Sequence, residues 1–254
     1  MSWVWTVLEC YHLWEVVLLA AAVTTVFLLA LPFHLPDLRP LPLDHPACDQ
    51  ELASLGFEKV GCFDATMHPS VNCRFHAYLS NDHRHGAAVM ELSTKFENKT
   101  VKEFSTRLTP SGSVTTNNSH DPLTFYRPPE KIAVCAHWKQ GFAELFQLHQ
   151  SLCEAAGESG FTPRKFEPDN FRALLDAWLR EDFEAQVRTG RMRRVGENAY
   201  RFTLKGAAIT TPVVWWFMSY GFILRRLRPG DKTLVTRARR RFARLRNAAC
   251  RAPH

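Results

Sequence analysis

Two stretches without a charged side chain constrain this chain more than any other feature. Residues 16–33 (VVLLAAAVTTVFLLALPF) are 18 residues between Glu15 and His34, and residues 206–224 (GAAITTPVVWWFMSYGFIL) are 19 between Lys205 and Arg225. As helices rising 1.5 Å per residue they cover roughly 27–29 Å, against about 30 Å of bilayer hydrocarbon. Trp3, Trp5, Tyr11 and Trp14 precede the first stretch in the manner of an interfacial aromatic belt. Residues 1–15 contain no Lys or Arg, so the basic start of a signal peptide is missing. The first stretch therefore reads as a retained N-terminal transmembrane anchor, residues 1–33. The second holds Pro212, Gly206, Gly221, Trp215, Trp216 and Tyr220. That composition suits a spanning helix, an interfacial segment or a buried helix, and sequence leaves the three open.

Charge is distributed as unevenly as hydropathy. Of the +7 net charge, residues 225–254 contribute 11 basic and one acidic residue, a tail of +10. The rest of the chain holds 21 basic and 24 acidic residues, so its net charge is −3. A body without a positive field argues against nucleic acid as a partner. In the tail, Leu234, Ala238, Phe242, Leu245 and Ala249 recur at helical spacing among arginines. A basic amphipathic helix of this kind is expected on anionic membrane headgroups. The predicted membrane-surface residues are Arg225, Arg226, Arg228, Arg237, Arg239, Arg240, Arg241, Arg244 and Arg246. The positive-inside rule puts the tail in the cytoplasm. The domain is then cytoplasmic if only the first stretch spans, which is the preferred arrangement, and extracytoplasmic if both do. The odd number of cysteines between 47 and 204 (Cys48, Cys62, Cys73, Cys135 and Cys153) leans toward a reducing compartment.

Between the apolar stretches the pattern changes twice. Residues 34–46 read as a proline-rich linker, stiff and extended or packed as an ordered loop. Residues 47–204 read as one α+β domain. Its first half alternates with period two: Cys73, Phe75, Ala77 and Leu79 share a face, as do Met90 and Leu92, and Ile132, Val134 and Ala136. This predicts an antiparallel β-meander with one buried face. Its second half carries two helical stripes, Phe142, Leu145, His149, Leu152 and Ala156, then Phe171, Leu174, Leu175, Trp178, Leu179, Phe183 and Val187. The predicted fold is the meander packed against these two amphipathic helices, with the transmembrane helix at the N-terminus, a second hydrophobic segment at 205–224 and a basic tail at 225–254.

No phosphate-binding loop, nucleophile elbow or zinc-protease signature occurs. Cys73 and His76 lie three apart and face opposite ways on a strand, a poor start for a shared metal. Cys135 and His137 share a face, as a thiolate–imidazole pair or half a metal site would. His83 and His85 flank Arg84 in a predicted turn, with Asp64 and His68 as further ligands from a neighbouring loop. No cofactor is implied by any of these. The expectation is a membrane-anchored interaction or accessory module with a protein partner. The alternatives are a membrane-associated enzyme or metal-binding domain built on those loop residues, or a lipid-binding domain.

Overall fold

Alternation between residues 57 and 117 resolves into long antiparallel strands, and the helical stripes into helices that cover them. The computed structural model describes residues 19–30, 32–35, 37–44, 48–68, 71–94, 98–119, 128–137, 139–167, 171–226 and 230–249. In chain order the elements are α1 (residues 19–30), β1 (Phe33–His34), β2 (Asp37–Pro40), α2 (Cys48–Ser54), β3 (Phe57–His68), β4 (Val71–Ser80), β5 (Gly86–Thr94) and β6 (Asn98–Thr109). There follow β7 (Ser113–Asn117), β8 (Lys131–Cys135), α3 (Phe142–Gly157), β9 (Thr162–Pro163), α4 (Phe171–Arg188), β10 (Met192–Gly196), β11 (Ala199–Phe202), α5 (Leu204–Arg226) and α6 (Asp231–Ala249). The fold is α+β. Among the described residues the contacts divide into two units, one drawn from within 19–35 and 181–223, the other from within 37–180 and 224–249.

The larger unit is built on a sheet of order β2-β3-β4-β5-β6-β7-β8, with β9 paired to the far end of β6. Strands β2 to β7 pair antiparallel, as the meander predicts. The last pairing differs: β8 runs parallel to β7, Ser113 opposite Lys131 and Asn117 opposite Cys135. In the β6–β7 turn Gly112 has φ 101°, and a side chain there would run into the Glu130 carbonyl.

Both faces of this sheet are buried, not one. Phe57, Tyr78, Ala87, Val89 and Phe104 line one face, against Phe142, Leu145, Leu148 and Leu152 of α3. The rings of Phe57, Phe104 and Phe146 meet at 5.0–5.4 Å between centroids. Each such burial stabilises by roughly 1.5–3 kcal/mol. The other face, Phe63, Ala65, Cys73, Ala77 and Leu79, is covered by Phe166 and by Phe171, Leu174, Leu175 and Leu179 of α4. The two amphipathic helices thus serve opposite faces. Helix α6 lies on α3, burying Ala238 and Phe242 with Phe161. Its apolar stripe is therefore occupied by the domain itself.

The smaller unit holds a three-stranded antiparallel sheet, β1-β11-β10. Its core is Met192, Tyr200, Phe202 and Ala207, packed with Leu28, Leu29, Phe33, Phe183 and Val187. Thr203 caps α5 by accepting a hydrogen bond from Gly206 N at 3.1 Å.

The membrane reading of the sequence is corrected here. Among the described residues no helix is long and apolar enough to cross a membrane. The described part of the predicted anchor is α1, twelve residues rising about 18 Å, and residues 1–18 lie outside the described set. Helix α5 has 23 residues, but Thr210, Thr211 and Pro212 interrupt its apolar run. Thr210 and Thr211 are buried, and Thr211 Oγ1 meets Thr25 Oγ1 of α1 at 3.0 Å. The start of the uncharged stretch is here packed within its own unit, through Ala207, Thr210 and Thr211. The single-pass and two-pass topologies, and the membrane localisation drawn from them on either side, are not supported.

Candidate functional site

The turn joining β4 to β5 separates the two histidines that sequence paired. His83 adopts φ 59°, and its carbonyl accepts from Phe166 N at 2.7 Å. Asp82 Oδ1 holds the turn, accepting from Ser80 Oγ at 2.6 Å and Arg84 N at 3.0 Å. His85 contacts Thr106 of β6, Nδ1 to Oγ1 at 2.7 Å.

That contact opens a buried polar chain. Thr106 Oγ1 also lies 2.8 Å from Nε2 of His149, whose Nδ1 lies 3.0 Å from Thr116 Oγ1. Cys153 Sγ, one turn along α3, is 3.7 Å from the same Nε2. The Thr106 hydroxyl has one proton and faces two imidazole nitrogens, so at least one ring donates to it. Neutral His149, with one N–H and one lone pair, satisfies both threonines. Burial, aided by repulsion from His85, lowers its pKa to about 3. Burial lowers His85 as well, against the pull of Asp82. Burial raises the Cys153 thiol to about 11, so it is no thiolate nucleophile near neutral pH. His85, His149 and Cys153 stand close enough to share an ion, yet every imidazole nitrogen facing the threonines is already engaged. This cluster ties α3 to the sheet.

The other predicted residues do not converge. Asp64 faces Arg39 on β2 and Arg74 on β4 in register. His68 ends β3 opposite Val71, and its side chain lies outside the described set. Cys135 ends β8 half-buried and His137 follows exposed, both away from the core that takes Ala136. Among the described residues neither belongs to a group of three metal-type ligands. Arg225 and Arg226 end α5, and Arg228 lies outside the described residues.

On α6 the arginines divide by role. Arg239 pairs bidentately with Glu158, both contacts at 2.9 Å. Arg241 donates to the carbonyls of Pro128, Pro129 and Lys131 at 3.1–3.4 Å. Arg237, Arg240, Arg244 and Arg246 are exposed. Beside them α3 and α6 flank a groove of about 1080 Å³ of mixed charge, lined by Lys139, Lys232 and Arg239 but also by Glu144, Glu154 and Asp231.

Sequence reasoning missed one further cluster. Cys62 of β3 and His76 of β4 stand directly opposite in register, and Asp44 follows β2. His76 is 0 % exposed, and neither ring nitrogen makes a hydrogen bond. Its Nδ1 lies 3.4 Å from Asp44 Oδ1 and its Nε2 3.8 Å from Glu91 Oε2. An unsatisfied buried polar group costs about 1–3 kcal/mol. Lys59 Nζ stands 3.3 Å from Asp44 Oδ1 and 3.6 Å from Asp49 Oδ1. Although partial burial opposes it, the Lys59 hydrogen bond and the charges of His76 and Lys59 hold the Asp44 carboxyl below its usual value. Burial raises the Cys62 thiol, and Asp44 adds to that. No family model, no curated protein and no solved structure matches this chain.

Proposed function

We propose that the protein is an interaction module that engages an acidic segment of a protein partner through the arginine face of α6. One observation carries this reading. The helix is held rigidly by Ala238, Phe242, Arg239 and Arg241, while Arg237, Arg240 and Arg244 share the opposite face at spacings of three and four. Among the described residues no acidic side chain pairs with these three. A row of cations on a helix already seated on α3 favours a carboxylate-rich strand or helix lying along that row, outside the neighbouring groove, whose lining includes Glu144, Glu154 and Asp231. The buried His85–His149 cluster supports a structural role for the sheet beneath, since its groups are neutral and mutually satisfied.

The test is fluorescence anisotropy with the full chain and a labelled Glu/Asp-rich peptide. Binding should weaken with salt. Three charge reversals, Arg237→Glu, Arg240→Glu and Arg244→Glu, at roughly 0.5–1 kcal/mol each, should weaken it about 10- to 100-fold. Arg246→Glu alone should change it little. Absence of peptide binding, or preferential binding of an RNA oligonucleotide or of anionic vesicles, overturns the reading.

A further inference from the structure

Among the described residues His76 is the one buried histidine with no hydrogen bond to either ring nitrogen, and its surroundings are those of a ligand. Cys62 and His76 project from the same face of neighbouring strands because they are direct partners in the β3–β4 register. The segment after β2 runs beside them: Leu41 N donates to the Cys62 carbonyl at 2.8 Å, which brings Asp44 over the pair. The Asp44 carboxylate, the Cys62 sulfur and the His76 nitrogen all lie within 4.8 Å of one another.

We propose that Asp44, Cys62 and His76 form a binding site for a divalent transition-metal ion, with zinc(II) the ion their donor set fits. The donors are one thiolate, one imidazole and one carboxylate, a mixture that suits zinc and not calcium or magnesium. The spacing agrees. Two ligands at about 2.0–2.1 Å on a tetrahedral ion stand about 3.3–3.4 Å apart, and Asp44 Oδ1 lies 3.4 Å from His76 Nδ1. An ion between them gives the orphaned Nδ1 its partner. Glu91 Oε2 stands 3.8 Å from Nε2, beyond hydrogen-bond distance, and so acts on the ring only as a nearby negative charge. Three protein ligands leave the fourth position to water. Asp44 is the exposed member, so the ion has a path from solvent. With both anionic ligands ionised the bound ion is charge-neutralised, and Lys59 keeps its contact with Asp49.

The competing arrangement is an imidazolium clasped between Asp44 and Glu91, which binds no metal. Titration of the chelator-treated full chain with cobalt(II) chloride separates the two. The site predicts one equivalent of cobalt bound, a thiolate-to-cobalt charge-transfer band, d–d absorption of tetrahedral intensity, and displacement of both by zinc chloride. Cys62→Ser should abolish the charge-transfer band. Asp44→Asn, at an exposed position outside the core, should weaken binding at least tenfold without changing the far-UV circular dichroism. Glu91→Gln, which removes only a nearby charge, should weaken it less than Asp44→Asn does while the charge-transfer band persists. Cys73→Ser, buried on the opposite face of the same strand pair, should leave every signal in place. A wild-type chain that shows no thiolate band at one equivalent of cobalt overturns the proposal, as does loss of the band in Cys73→Ser but not in Cys62→Ser.

Discussion

Acidification from pH 7.5 to 4.5 should destabilise this fold through His149, and the size of the effect follows from its burial. In the folded chain its pKa is lowered to about 3, against an ordinary value of 6.5 when unfolded. Between these values the unfolded chain takes up a proton that the folded chain refuses. The stability it confers is therefore fully present above pH 6.5 and is lost as pH falls toward about 3. At pH 4.5, two units below the unfolded value, the loss is about 3 kcal/mol at 1.36 kcal/mol per unit. That is a large share of the roughly 5–15 kcal/mol typical of a domain. His85, also lowered by burial, acts in the same direction. The assay is urea unfolding followed by circular dichroism at several pH values, for the wild type and for His149→Gln. The carboxamide does not titrate, and the carboxyls of Asp44 and Asp82 contribute equally to both proteins. The wild type should lose about 3 kcal/mol more than the variant over this range. Parallel pH profiles would refute the picture of a neutral, buried imidazole.

The polar chain also predicts a coupling. His149→Leu orphans the Thr116 hydroxyl and Thr116→Val orphans His149 Nδ1, each costing about 1–3 kcal/mol, whereas the double variant leaves neither group unpaired and should cost at least about 1 kcal/mol less than the sum in chemical denaturation. Phe242→Ala, at a fully buried ring against Phe161, should cost about 3–5 kcal/mol by urea unfolding and release α6 to protease cleavage. Gly206→Ala should lower the thermal midpoint, because the added methyl would meet the Arg191 carbonyl and the Phe202 ring, and a backbone oxygen cannot yield as a side chain can; about 1–3 kcal/mol is expected.

The strands and the two covering helices were legible because period two and period 3.6 leave their mark on apolar residues. Cys73, Phe75, Ala77 and Leu79 do share a face. The second buried face was not legible, since Tyr78, Ala87 and Val89 are interspersed with Arg74, His76 and Glu91, which pattern reading assigns to solvent. Hydropathy misled for a different reason. It registers the absence of charge in α5 but not where Thr210 and Thr211 bury their hydroxyls. His149 did carry a signal, as a histidine in the stripe of Phe142, Leu145 and Leu152, yet its partners Thr106 and Thr116 lie 43 and 33 residues away. The opposition of Cys62 and His76 depends on a register interrupted between Lys59 and Gly61. Sequence spacing does not encode that bulge.

Two buried histidines, His76 of β4 and His149 of α3, show where added chemistry is sterically and energetically open. Along the α3-facing side of β4, Ser80, Tyr78 and His76 are buried whereas Arg74 and Asn72 are exposed. Helical cover thus ends at His76. His149 points from α3 onto the sheet, where two threonines complete it and no ion gains anything by displacing them. At His76 the dehydration of a buried ring is combined with incomplete satisfaction and with an exposed carboxylate beside it. Burial strengthens an interaction with an arriving cation, and the nearby surface lets the cation arrive. The metal site proposed at His76 thus lies at the margin of the sheet's cover and not at the polar centre, even though the centre holds the more conspicuous cluster of histidine and cysteine.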